Sequence, residues 1–386
     1  MKRNLFRRIL APAVFLTVLS GMPGNPFLQP ASAEGPETLA IGQPAPDFSL
    51  KGIDGNIYSL ENFSDARVLT IIFTANHCPT AQAYEKRIIQ LSADYPPEQM
   101  QVAAISSNSM KGLCLEELGY SDLDDTYESM QIRAKDAGFI FPYLYDGDDQ
   151  KTALAYGPTA TPHVFIFDAN RKLRYTGRID DMENPYLQPT SRDARDAIDA
   201  ILAGKPVPVE KTKAFGCSIK WTSKAEWKAK LDEEWKNRPV ELKGIGLEEV
   251  KNLMANEGRK YRLVNVWATW CGPCIVELPE IVKLQRIYGN RNFEVVSLSV
   301  DSYSKQEDVL EFLRARNAAF SNYIYNANKK YELIEAIDPE WQGNIPCTLL
   351  LAPGGEIVYR HVGILDPLVV KKAIISKLGR YFADDR

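Results

Sequence analysis

The chain has 386 residues, 45% of them hydrophobic and 25% charged, with a formal net charge of −4 at pH 7. At roughly 150 residues per domain, this length predicts two or three domains, each able to bury its own core. The acidic balance, with a pI near 5.7, argues against a nucleic-acid partner and against electrostatic attachment to a membrane surface.

The N-terminus departs from this composition. Lys2, Arg3, Arg7 and Arg8 precede or open an apolar stretch at residues 9–22, and Ala31-Ser32-Ala33 is a small-x-small site. The pattern predicts a signal peptide over residues 1–33, cleaved after Ala33. Its apolar run is shorter than the about 20 residues of a membrane span. The first cysteine is Cys78, which argues against a lipoprotein. The expectation is therefore an exported, periplasmic or otherwise extracytoplasmic protein. Disulfides persist in such a compartment. The six cysteines are Cys78, Cys114, Cys217, Cys271, Cys274 and Cys347. They are too few for a disulfide scaffold in this length, and their even number allows one redox pair beside one or two bridges.

After a polar spacer at residues 34–37, two segments repeat one plan: an apolar strand, a cysteine-bearing turn, a helix, a strand, and later a strand introduced by Thr-Pro or Ile-Pro. The first is expected over residues 38–205. Residues 67–74 (RVLTIIFT) read as a buried strand. A helix follows from Cys78 and Pro79 to about residue 92, then a strand at Met100–Ser106 and a helix at 124–137. Residues 162–168 and 173–175 read as a hairpin, and 193–203 as a helix stopped by Gly204.

Residues 206–244 read as a linker, Pro- and Lys-rich at its start, with a charged helix over 221–236. Trp221, Trp227 and Trp235 along it are expected to be core or docking aromatics. The second segment, 245–386, reads as a helix (247–256), a strand (Tyr261–Trp267), a helix (271–288), a strand (293–300) and a helix (305–316). A hairpin (Cys347–Leu351 with 357–361) and a last helix (366–378) complete it. Alternating strands and helices closing on a hairpin predict an α/β fold with a mixed sheet.

Trp270-Cys271-Gly272-Pro273-Cys274 places two thiols one turn apart at a helix start. Backbone N–H groups and the helix dipole favour an anion there. They draw the first thiol from about 8.5 towards the range of about 3.5–7.5, so thiolate is present near neutral pH. Cys271 is thus the candidate nucleophile and Cys274 the resolving thiol. Pro273 keeps the helix start compact, and Gly272 leaves the site open to a protein substrate. A zinc half-site would need a second ligand pair. Cys347 stands alone, with His361 the nearby histidine, so no metal is expected and the redox-active disulfide is the only cofactor-like element.

Asn265 to Cys274 (NVWATWCGPC), followed by Glu277-Leu278-Pro279, resembles the thioredoxin superfamily, within it the exported branch related to cytochrome-maturation thioredoxins. The resemblance spans about 246–380. It implies that Pro346, in Gly343-Asn344-Ile345-Pro346-Cys347, is a cis-proline facing the dithiol, with the Ile345 backbone free to pair with substrate. Thioredoxins carry a buried Asp at the position of Asn265 and Thr at that of Cys347. Asn cannot act as a base, so Glu277 is a proton-transfer candidate, with a surface helix Glu as its bland reading. Cys347 reads as a small buried hydrophobe or as a third thiol near the pair.

Residues 38–220 resemble peroxiredoxin-like redoxin domains of the alkyl hydroperoxide reductase/thiol-specific antioxidant group. The carrying segments are FTANHCPTAQAYEKR (73–87), FPYLYDGDDQKTALAYGPTATPHVFIFD (141–168), GRIDD (177–181) and GCSIKW (216–221). The resemblance implies a second thioredoxin-like fold with Pro162 as its cis-proline. Ala75 and Ala160 stand where relatives often carry Cys, and the Thr that peroxiredoxins place three residues before their reactive Cys is missing. Cys78, beside His77, is a peroxidatic thiol, half of a structural bridge to Cys217 or Cys114, or an unreactive relic.

The combined expectation is two tandem thioredoxin-like folds behind a signal peptide. The expected activity is reduction of protein disulfides through Cys271/Cys274, cytochrome c precursor being one client the resemblance implies. The Gly-Pro dipeptide points to a reductant near about −270 mV, and a membrane thiol carrier is the implied electron donor. The rivals are a peroxidase in which Cys271/Cys274 reduces oxidised Cys78, and a first domain that binds clients without catalysis.

Overall fold

A computed structural model describes residues 35–382; the expected signal peptide lies outside the described residues. The first lobe contains β1 (Leu50–Gly52), β2 (Ile57–Tyr58), β3 (Val68–Thr74), α1 (Pro79–Ala93), β4 (Met100–Ser106), α2 (Tyr127–Ala137), β5 (Tyr143–Tyr145), α3 (Lys151–Tyr156), β6 (His163–Phe167), β7 (Leu173–Gly177) and α4 (Asp193–Leu202). Helix α5 (Ala225–Lys236) leads into the second lobe: β8 (Lys243–Ile245), α6 (Leu247–Ala255), β9 (Tyr261–Trp267), α7 (Gly272–Tyr288), β10 (Phe293–Ser299), α8 (Gln306–Arg314), β11 (Ser321–Tyr325), α9 (Lys330–Ile337), β12 (Cys347–Leu351), β13 (Ile357–Val362) and α10 (Pro367–Leu378). Among the described residues no helix is long and apolar enough to cross a membrane.

The two sheets run β2-β1-β5-β4-β3-β6-β7 and β13-β12-β9-β10-β11-β8. Stripped of β1, β2 and β8, they match strand for strand in topology. β3 and β9 are the central strands, each parallel to the next strand in sequence (β4, β10) and antiparallel to the start of a C-terminal hairpin (β6, β12). All seven residues of β3 are buried, which is why RVLTIIFT lacks alternation: helices cover both faces of the sheet. The short β5, β11, α3 and α9 carry no strong periodicity, and the sequence pattern does not mark them.

The stretch read as a linker is extended but not free. Thr176 N–H donates to Glu210 O and Thr212 N–H to Thr176 O, each at 3.0 Å, so this backbone pairs with the outer edge of β7. Further on, Ser109 N–H donates to Lys220 O at 2.8 Å, and Lys220 N–H to Asn108 Oδ1 at 2.8 Å. Pro and Lys suit an edge as well as a solvated tether, so composition alone does not separate the two. Of the tryptophans, Trp235 is buried in the second core, Trp221 packs on the first, and Trp227 is half-buried.

The lobes share apolar packing. Leu113 and Leu118, from the loop and 3-10 turn around Leu115–Leu118, are buried in the core built on α7. Tyr288 Oη donates to Ser121 O at 2.8 Å. Arg286 joins Glu116 Oε1 (2.9 Å) and Asp232 Oδ1 (2.7 Å).

Candidate active site

Cys271 is the N-cap of α7, and its sulfur accepts a hydrogen bond from Cys274 N–H at 3.3 Å. The two cysteines are joined as a disulfide. Trp270 stands 68% exposed before the pair, and Gly272 and Pro273 are exposed between them, so the site opens to solvent through side chains without charge. The approach to it is fixed from below: Thr269 N–H and Oγ1 donate to Asp301 at 2.9 and 2.6 Å.

The Ile345–Pro346 bond is cis and immediately precedes β12, which pairs with β9. The strand carrying the dithiol turn and the proline loop are therefore neighbours in the sheet. Cys347 is wholly buried among Val266, Leu349 and other core side chains. Burial pushes its thiol up to about 12, so it behaves as a small apolar residue.

Glu277 is not a surface residue. It lies on the buried face of α7 one turn beyond Cys274 and is 2% exposed. Its Oε1 accepts from Asn265 Nδ2 at 2.7 Å and its Oε2 from Leu365 N–H at 3.1 Å. Asn265 Nδ2 also donates to Thr348 Oγ1 at 3.0 Å. Burial raises the Glu277 carboxyl above its ordinary value, and the Asn265 and Leu365 donors only partly offset this. Thr348 and the Leu365 backbone carry no sequence signal, because they reach the site only through strand pairing and the loop before α10. A cleft of about 620 Å³ adjoins Trp270 and Ile345, with Tyr303, Tyr325 and Trp341 in its wall. No sequence pattern marks this cleft, because β11 and α9 build one side of it.

The first lobe repeats this geometry with different side chains. Cys78 follows the end of β3 at the interval by which Cys271 follows β9 (74 to 78, 267 to 271) and is the N-cap of α1. Thr161–Pro162 is cis and precedes β6 as Ile345–Pro346 precedes β12. By the same register Ala81 stands at the position of Cys274, Ile72 at that of Asn265 and Tyr84 at that of Glu277. The Cys-x-x-Cys pair and its buried carboxylate therefore belong to the second lobe alone.

Cys78 is fully buried. Its thiol donates to Thr161 O at 3.1 Å and accepts from Ala81 N–H at 3.4 Å. Cys217 packs against it and points its thiol at the Cys78 sulfur. Burial alone would raise Cys78; the Cys217 thiol, the His77 charge, the Thr161 side chain and the Ala81 N–H outweigh it and draw Cys78 below the ordinary thiol value. His77 Nδ1 bonds Asp125 Oδ2 at 2.6 Å. Asp125 also accepts from the backbone of Asn76 (2.7 Å) and His77 (3.1 Å), and from Asn108 Nδ2 (2.8 Å). Burial opposes a charged His77, but Asp125 overrides it and holds the imidazole above its ordinary value. Asp125, the partner that fixes His77, is invisible in sequence because helix α1, strand β4 and the loops after them place it 48 positions away. A structural bridge from Cys78 to Cys217 or Cys114, one of the three readings of this cysteine, is not formed in the structure: Cys78, Cys114 and Cys217 are thiols. Cys114 is buried, and burial first, then Glu117 and Glu116, push it up to about 12.

A Cys-x-x-Cys disulfide at a helix start, a cis-proline leading into the neighbouring strand and an open approach are the features of a thiol–disulfide exchange site on a thioredoxin-type sheet. The AhpC/TSA family model matches residues 41–176 and the Redoxin model residues 243–373. The chain is similar to the thioredoxin-like protein YneN of Bacillus subtilis, 32% identical over 133 residues, covering 34% of this chain and 69% of that protein. It is similar to the thiol-disulfide oxidoreductase ResA of Oceanobacillus iheyensis, 30% identical over 95 residues, covering 25% of this chain and 45% of that protein. A solved hypothetical protein, SMc02350 from Sinorhizobium meliloti 1021, is 33% identical and covers 48% of this chain and 96% of its own, with a TM-score of 0.43. The chain belongs to the thioredoxin superfamily, with two thioredoxin-like domains in tandem, and is an oxidoreductase of the thiol–disulfide class.

Proposed function

We propose that this protein is an exported reductant of protein disulfides, working through Cys271 and Cys274 in a catalytic domain at residues 245–386. The observation that carries this reading is the position of Cys271: the N-cap of α7, beside the exposed Trp270 and the Ile345–Pro346 loop, with buried Glu277 behind. In the reduced state the helix start stabilises a Cys271 thiolate. This thiolate attacks a client disulfide, forms a mixed disulfide and releases one client thiolate. A client strand alongside Ile345 would place its sulfur in line. Cys274 then loses its proton and attacks Cys271, freeing the second client thiol and closing the Cys271–Cys274 disulfide. Asn265 cannot accept that proton. Glu277 can, directly or across one water, because burial leaves it a stronger base than an ordinary carboxylate.

Returning the pair to the dithiol requires two electrons, and a membrane thiol carrier is the donor this reading implies. The signal-like residues 1–33 support the exported location. The cytochrome c precursor is one client. A peroxidase centred on Cys78 is less well supported, since that sulfur is fully buried, and the segment carrying Cys217 lies across it. The test is insulin reduction and client trapping. Cys271→Ser should abolish reduction, whereas Cys274→Ser should accumulate a mixed disulfide through Cys271. Reduction that survives Cys271→Ser would overturn the assignment.

A further inference from the structure

Residues 214–220 cross the first lobe beside its cis-proline. Cys217 makes an antiparallel bridge to Thr161, the residue before cis-Pro162, with Thr161 N–H donating to Cys217 O at 2.9 Å. In the second lobe the equivalent residue is Ile345, whose backbone the proposed mechanism leaves for a client strand. The chain thus lays its own strand where the first lobe would hold an external one, and that strand presents a cysteine to the helix-capping thiol. The fit is close. Gly216 has φ +139°, and a Cβ on it would lie 2.0 Å from Thr161 O, so only glycine permits this approach. The strand is anchored on its far side by the buried Lys220, whose Nζ pairs with Glu117 Oε1 at 2.5 Å.

We infer that Cys78 and Cys217 are a second, reversible dithiol–disulfide pair, with residues 214–220 acting as a built-in substrate strand and protein dithiols as the exchange partners. The first lobe lacks a cysteine at Ala81, the position of Cys274, and Cys217 supplies the missing thiol from the other side of the sulfur. Cys217 is part-exposed and Cys78 is not, so exchange begins at Cys217. In the reductive direction, a thiolate of the incoming dithiol attacks the Cys217 sulfur. The Cys78–Cys217 bond breaks and Cys78 departs as thiolate, the better leaving group because it retains the Ala81 and His77 surroundings. The donor's second thiol passes its proton to Cys78 and attacks the mixed disulfide, which closes the donor's disulfide and releases Cys217, protonated from solvent. Two electrons move from the donor dithiol to the pair, leaving both cysteines as thiols, the state in the structure; the reverse sequence oxidises them.

The test uses the full chain carrying Cys271→Ser and Cys274→Ser, so its outcome is separate from that of the second-lobe assignment. The protein is equilibrated across glutathione/glutathione disulfide ratios, acid-quenched, blocked with a maleimide, digested without reductant and mapped by mass. The expected result is a Cys78–Cys217 linked peptide in oxidising buffer that converts reversibly to two blocked thiols in reducing buffer. Reduced thioredoxin should also open it. Gly216→Ala, which lifts the strand from Thr161, should lower the linked-to-open ratio at a fixed buffer by about tenfold or more. No linked peptide at any ratio, linkage of Cys78 to Cys114 instead, or a Cys78–Cys217 bond that reduced thioredoxin fails to open would each overturn the proposal. These outcomes are read on the native Gly216 strand, so they decide the matter even if Gly216→Ala misfolds.

Discussion

Asn265 Nδ2 donates to Glu277 Oε1 at 2.7 Å, one helical turn beyond Cys274 and out of reach of bulk solvent. The contact couples the middle of β9 to α7, and it holds a carboxylate in a place where burial raises its proton affinity. Glu277→Gln should therefore slow insulin reduction by about 100-fold, within the range for one positioned acid–base group, while the single-turnover attack of Cys271 on a small disulfide changes little. The same variant tests linkage. A carboxyl raised in the folded state binds its proton more tightly there than in the unfolded chain. Its contribution to stability is complete below the ordinary carboxylate value and declines as pH rises through the folded value. Urea midpoints of the oxidised protein against pH should show this decline in wild type and lose that component in Glu277→Gln.

Trp270 is a large apolar side chain that folding leaves in water, next to a cleft walled by Tyr303, Tyr325 and Trp341. Because it buries little, Trp270→Ala should leave stability within about 0.5 kcal/mol of wild type. Exposed Trp is a favoured anchor in protein interfaces. The expected effect is a KM for a protein client raised about tenfold or more, with turnover of a small aromatic disulfide within about twofold. Equal losses for both substrates would place Trp270 in the chemistry instead of in client binding.

Legibility in the sequence follows physical signal strength. Met100–Ser106, Tyr261–Trp267 and Cys347–Leu351 are legible to the residue, because strands buried on both faces are rich in Val, Leu, Ile and Ala with only one or two polar residues between them. Strands β5 and β11 escape it, since YLY has only three residues and SNYIY offers one aliphatic residue among polar and tyrosine side chains. Cys271 and Cys274 announce themselves by spacing, and both cis-prolines through the family resemblance of the segments that carry them. Asp125, Thr348 and the strand bearing Cys217 do not. Their roles arise from pairing across the sheet, between positions that no local pattern connects.

Asp125 is the sole carboxylate bonded to His77 among the described residues, and both are essentially inaccessible to water. Asp125→Asn removes the charge that keeps the buried imidazole protonated. Breaking a buried pair by removing one partner costs about 3–5 kcal/mol, which denaturant unfolding would register. Burial would then favour neutral His77, and Cys78 would lose the positive neighbour that helps to lower it. In a Cys271→Ser/Cys274→Ser background, the thiolate's ultraviolet absorbance as a function of pH should move to higher pH in Asp125→Asn. An unmoved profile would show that the helix N-terminus and the Cys217 thiol suffice to set Cys78.

Trp235 links the connecting helix α5 to the second lobe. Its ring is buried in the core around α7, and its Nε1 donates to Asn317 O at 3.0 Å. Arg238 and Arg286 lie over the ring at 4.6 and 5.6 Å, and Arg286 is the residue that clasps Glu116 of the first lobe. Truncation to Ala removes the core volume, leaves the Asn317 carbonyl short of its donor and frees Arg286 to move. A buried Trp→Ala change costs about 3–5 kcal/mol, and the loss should appear as a lower urea midpoint of the second lobe. Cys271, Cys274 and Glu277 lie on other parts of α7, so small-disulfide turnover in the folded fraction should stay near wild type. Trp235→Phe fills most of the space without the indole donor and should recover more than half of the lost stability. If Trp235→Phe is as unstable as Trp235→Ala, the hydrogen bond to Asn317, and not the packing, fixes α5 on the second lobe.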